Sequence, residues 1–129
     1  MRALKLVTAS IFFASAATTQ AASLSSAANP LTMSVAQGRE QLALHNRCVA
    51  AATYAMLDDT FPETESKAEY FRHRDAGEAI IRHVSPGERA AFMAKVPTIR
   101  EYQSVFQNLQ WGKAMKALIK QEFEGCKTI

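Results

Sequence analysis

Cysteine is scarce in this chain: among 129 residues there are two, Cys48 and Cys126, 78 positions apart. No Cys-x-x-Cys or Cys-x-x-Cys-His arrangement is present, which excludes a dithiol redox motif and a covalently attached haem. A Gly-x-Ser-x-Gly elbow is also missing, as are the glycine and ligand spacing of an EF-hand loop. No segment sustains the period-two alternation of β-branched and polar residues that marks a strand. The most apolar stretch, residues 6–17, has 12 residues and is diluted by Thr8, Ser10 and Ser15. A membrane-spanning helix needs about 20 predominantly apolar residues, so no segment reads as one.

What does stand at the start is a leader. Met1-Arg2-Ala3-Leu4-Lys5 is cationic, the apolar stretch carries Leu6, Val7, Ile11, Phe12 and Phe13, and Thr19-Gln20-Ala21 supplies small residues for cleavage. This is the layout of a secretory signal peptide over residues 1–21, with a second possible cut after Ala16. Residues 22–33, rich in Ser, Ala and Asn, read as a flexible tail, and residues 34–129 as one folded domain. Removing the leader takes Arg2 and Lys5 with it, so the formal charge of +3 falls to +1, with 13 basic against 12 acidic residues. That balance gives no reason to expect a nucleic-acid partner. In an oxidising compartment the two cysteines are expected to pair. Closing so long a loop stabilises by about 4.5 kcal/mol as an upper figure, a large share of the about 5–15 kcal/mol typical of a small domain.

The remaining residues spell helices. Ser34-Val35-Ala36-Gln37 is a capping box opening a helix to about position 58, with Leu42, His45, Val49, Ala52 and Met56 on one stripe. A second helix over about 64–84 has Tyr70, His73, Gly77, Ile80 and Val84 on its stripe, with Glu63, Glu65 and Glu69 favouring its N-terminal dipole. Ser85-Pro86-Gly87-Glu88 reads as another capping box, starting a short helix that Pro97 ends by about residue 95. Thr98-Ile99-Arg100-Glu101 starts the last helix, in which Trp111, Met115 and Leu118 continue the apolar surface. Gly112 is placed to bend or split it, and Gly125 to cap it. The expected fold is all-α: a small single-domain bundle of three longer helices and one short helix, stapled by one long-range disulfide.

Candidate chemistry is thin. Glu69 and His73 are spaced to share a helix face and form a weak metal-ligand pair, more simply read as an i,i+4 electrostatic contact. The acidic run Asp58, Asp59, Glu63, Glu65 and Glu69 reads as a solvated loop and helix start, and Arg72, Arg74, Arg82 and Arg89 as partners of Asp75, Glu78 and Glu88 in surface ion pairs rather than as a basic face for an acidic partner. On the short helix, positions 92 and 93 diverge by about 100°, so Phe92, Met93 and Val96 cannot all face inward. One of them should be exposed beside Arg89 or Lys95 as a contact centre; the alternative is a lid whose apolar residues are all absorbed by the core. The sequence therefore leads to an exported, non-catalytic protein-binding module of inhibitor, immunity or envelope-stress type, in the periplasm or outside the cell. No cofactor and no catalytic residue is assigned. The alternative is a carrier of a small ligand, metal or haem within the bundle.

Overall fold

A computed structural model describes residues 33–129, in which five α-helices and no strand are found. The signal peptide and nearly all of the tail lie outside the described residues. Helix α1, Val35–Asp58, opens with the expected capping box: Gln37 N donates to Ser34 Oγ (3.1 Å), and Ser34 N to Gln37 Oε1 (3.0 Å). It ends at Asp59, which adopts the left-handed region (φ 63°) that Asp tolerates better than most residues. Helix α2, Glu63–Arg82, follows Pro62 and carries Glu63 and Glu65 in its first turn.

The expected stripe on α1 is only part of its buried surface. Residues Cys48, Val49, Ala50, Ala51 and Ala52 are all buried, and five consecutive positions sweep about 400° around the axis. Helix α1 is therefore the central helix, packed by α2 and by both later long helices. Its alanines let those neighbours approach closely. Helix α2 keeps one inward face, with His73, Gly77 and Ile80 buried. A Cβ at Gly77 would stand 3.3 Å from Leu42 Cδ1, so glycine there sets how closely α1 and α2 approach.

Three local expectations are corrected. First, Ser85 makes no side-chain cap. Glu88 N, the donor a capping box would use, is bonded to the Ser85 carbonyl (2.8 Å), and Pro86–Glu88 forms a 3₁₀ turn leading into the short helix α3, Arg89–Met93. Second, the last helix is divided into α4, Ile99–Gln107, and α5, Lys113–Cys126. The break spans Asn108 to Gly112, and it lets both pieces pack against α1. Trp111, in the break, is 57 % exposed rather than part of the core. Third, Gly125 does not end α5; the helix continues to Cys126, and no described glycine adopts the left-handed conformation of a C-terminal cap.

Cys48 and Cys126 are disulfide-bonded, with Cα atoms 5.6 Å apart, joining α1 to the last residue of α5. Around the bond lies the larger apolar cluster, with Tyr54 and Ala55 of α1, Phe106 of α4, and Met115, Ile119 and Phe123 of α5. A smaller cluster sits nearer the start of α1 and holds Leu42, Ile80, Phe92 and Val96, with Met33 and Val84 packed against it. No described helix is long and apolar enough to cross a membrane.

Candidate functional site

A concave feature of the described surface lies over the smaller cluster, where the start of α1, the end of α2 and α3 meet. It is a groove of about 410 Å³. Helix α1 contributes Val35, Gly38 and Arg39; α2 and its end contribute Ile80, His83 and Val84. The far wall is Ser85, Glu88, Ala91 and Phe92, and Met33 and Ser34 form the lip.

Phe92 makes this wall possible. It is buried, and its ring lies where a Cβ at Gly38 would be only 3.3 Å from Cζ. Arg39 covers the same ring, its guanidinium carbon 5.4 Å from the centroid, and its Nε donates to the Phe92 carbonyl (3.2 Å). Arg89 Nε and Nη2 donate to the carbonyls of Val84 (2.9 Å) and Arg82 (3.1 Å), fastening α3 to the end of α2. Asn46 Nδ2 donates to the Pro97 carbonyl (2.9 Å), fixing the connector that follows. The short helix is thus tied to α1 through Arg39 and to the end of α2 through Arg89, and the connector after it to α1 through Asn46.

The five residues proposed as a contact surface separate accordingly. Phe92 and Val96 are buried anchors, Arg89 is half-buried and bonded to backbone, and Lys95 is exposed. Met93 is the apolar residue left outside, 42 % exposed. The ion pairs expected of Arg82 and Arg89 do not form: neither has a carboxylate within 4 Å among the described residues, because Arg89 is committed to carbonyl oxygens.

A second polar cluster lies inside the bundle. His45 and His73 are buried and face each other, Nδ1 to Nδ1, at 2.9 Å. His73 Nε2 is 3.2 Å from the Cys126 carbonyl. Arg72 Nη2 has two hydrogens, and Glu69 Oε1 (2.7 Å) and the same Cys126 carbonyl (3.1 Å) accept them. His73 Nε2 therefore carries the proton that bonds Cys126, and His45 Nδ1–H donates to His73 Nδ1. The pairing links α1, α2 and the disulfide-bearing turn of α5. Burial, with the neighbouring His73 and then Arg72 adding to it, pulls the His45 pKa down to about 3; burial and then Arg72 pull that of His73 down to about 4, against the Cys126 carbonyl. Both rings are neutral near pH 7. The Glu69–His73 contact exists, at 3.4 Å, but the Glu69 carboxylate is held by Arg72.

Two further features were not legible in the sequence. Arg47 Nε and Nη2 pair with both Glu122 oxygens at 2.6 and 2.7 Å, joining α1 to α5. Asp58, expected to be solvated, is buried, with Lys116 Nζ 3.2 Å from Oδ1. For the groove, the available signal was Gly38, a glycine one turn into an otherwise well-capped helix, which marks a close approach. Comparison of the chain with protein-family models, with curated proteins and with solved structures gave no match.

Proposed function

We propose that this protein is a non-catalytic binding module, exported to the periplasm or beyond, that engages another protein through the end of the bundle built from α3 and the groove. The observation that carries the reading is the mounting of α3. A helix of five residues has little stability of its own, yet this one is held by two buried apolar anchors and by side-chain bonds from Arg39 and Arg89. That arrangement presents Met93 and an open groove on a rigid wall, and preorganised surfaces bind with a smaller ordering cost. Export is supported by the leader pattern, and the disulfide is compatible with it.

A carrier of a small ligand is the second reading, favoured by the groove volume, which falls in the range of about 300–1,000 Å³ for ligand pockets. It would use the groove, since Met115, Ile119, Phe123 and the α1 alanines fill the bundle interior.

A photo-reactive side chain at Met93, compared with one at the exposed Lys120 of α5, tests the first reading in the exported compartment. The Met93 probe should capture one discrete protein, which then binds the purified module; the Lys120 probe should not. Equal capture at both positions, or no rebinding, would refute the protein-binding assignment.

A further inference from the structure

Several cations away from the groove are paired with carboxylates, although among the described residues Lys113 and Lys120 of α5 are not. Away from the groove, Lys67 pairs with Glu63, Lys127 with Glu65, Arg72 with Glu69 and Lys116 with Asp58. At the groove end, Arg39, Arg82 and Arg89 have no carboxylate within 4 Å among the described residues. Of these three, Arg39 lines the groove. Its Nε is used on the Phe92 carbonyl and its guanidinium lies over the Phe92 ring, in a groove that Ile80 and Val84 also line. The terminal nitrogens of that guanidinium have no carboxylate within 4 Å among the described residues.

Glu88, the carboxylate in the groove lining, opposes this charge in sign but not in setting. Glu88 is exposed, where water and salt screen it, whereas Arg39 is half-buried and oriented by two contacts. A fork held in place beside apolar surface favours a carboxylate over any neutral or cationic group. Resting on the protein-binding reading, we infer that the groove recognises a partner segment in which a bulky aliphatic or aromatic side chain is followed or preceded by an acidic residue. The apolar side chain enters over Ile80, Val84 and Phe92, and the carboxylate pairs with the Arg39 terminal nitrogens. Arg82 and Arg89 add positive potential at the edge and steer the approach of an acidic surface.

The probes are three acetylated, amidated dipeptides, aspartate–tryptophan, asparagine–tryptophan and lysine–tryptophan, titrated into the full exported protein while the methyl resonances of Met33, Val35, Ile80 and Val84 are followed by NMR. The aspartate peptide should bind about three- to tenfold more tightly than the asparagine peptide, as expected for a charge-assisted hydrogen bond at a partly buried site, and the lysine peptide should be weakest. The preference should shrink as salt is raised. Arg39→Gln should bring the aspartate and asparagine peptides to equal affinity while both still shift the groove methyls, and Arg39→Lys should restore part of the difference. Equal affinities in the parent protein, a preference for lysine, or shifts confined to residues outside the groove would overturn the inference. Partner capture at Met93 without a carboxylate preference would leave the binding reading standing and remove this one. A carboxylate preference without any captured protein would leave the groove's selectivity for an apolar and acidic ligand standing and remove the protein partner from both readings.

Discussion

At the residue scale, the most consequential arrangement is the buried contact between His45 and His73. The groups facing it are each other's rings, Arg72 and Glu69 from α2, and the Cys126 carbonyl from α5. A proton on either ring would sit in a buried site beside the Arg72 guanidinium. Both folded-state values, about 3 and about 4, lie below the ordinary 6.5. The unfolded chain therefore binds protons that the folded chain refuses. The stabilisation is complete above pH 6.5 and is lost as pH falls toward the folded values, at up to about 1.4 kcal/mol per pH unit for each histidine. Urea unfolding midpoints between pH 7 and pH 4.5 should fall steeply, and His73→Gln should flatten that slope. A midpoint constant over this range in the parent protein would show that the histidines are not held neutral.

At the element scale, the tie between α1 and α5 is the pair Arg47–Glu122, with side chains 17 % and 7 % exposed. Removing one member of a nearly buried ion pair takes an opposite charge and two short hydrogen bonds from the other, so Glu122→Gln should cost about 3 kcal/mol. Joining Arg47→Met to Glu122→Leu should recover a good part of that loss, because no buried charge is then left over. Chemical denaturation of the singles and the double decides the matter; a double variant as unstable as the Glu122 single would mean that packing rather than charge sets the cost. The start signals of α1 and α4 were readable because a capping box is closed by residues three apart. Thr98 and Glu101 form theirs as Ser34 and Gln37 do. The Ser85 signal failed because its own carbonyl took the donor first. The divided last helix shows the same limit: Gly112 marked a weak point, but the break depends on α4 and α5 both having to reach α1.

At the scale of the whole molecule, the disulfide closes a loop covering most of the folded domain and fastens the end of α5 beside the centre of α1. Cys48→Ser should lower stability by up to about 4.5 kcal/mol, read as a fall in Tm, and non-reducing mass spectrometry should show the Cys48–Cys126 peptide pair. Because the His73 partner is the carbonyl of Cys126 itself, the same variant should also increase hydrogen exchange in the middle of α2 and at the end of α5. A change within about 0.5 kcal/mol, the size of an ordinary surface substitution, would show that the bond contributes nothing to stability.

By itself the sequence determined the helical class, one buried stripe on each of α1 and α2 and the pairing of its two cysteines, because these follow from periodicity, capping over three residues and there being no other thiol. It placed His45 and His73 on core stripes and left open whether the short helix keeps an apolar residue outside or buries them all. That the two histidines meet, that Arg47 finds Glu122 75 positions away, and that Met93 is the residue left outside were decided by the tertiary structure. Each depends on the distance and rotation between helices far apart in the chain. Those are fixed by the alanines of α1, by Gly77 and by Gly38, whose missing side chains have meaning only against the neighbour that fills the space.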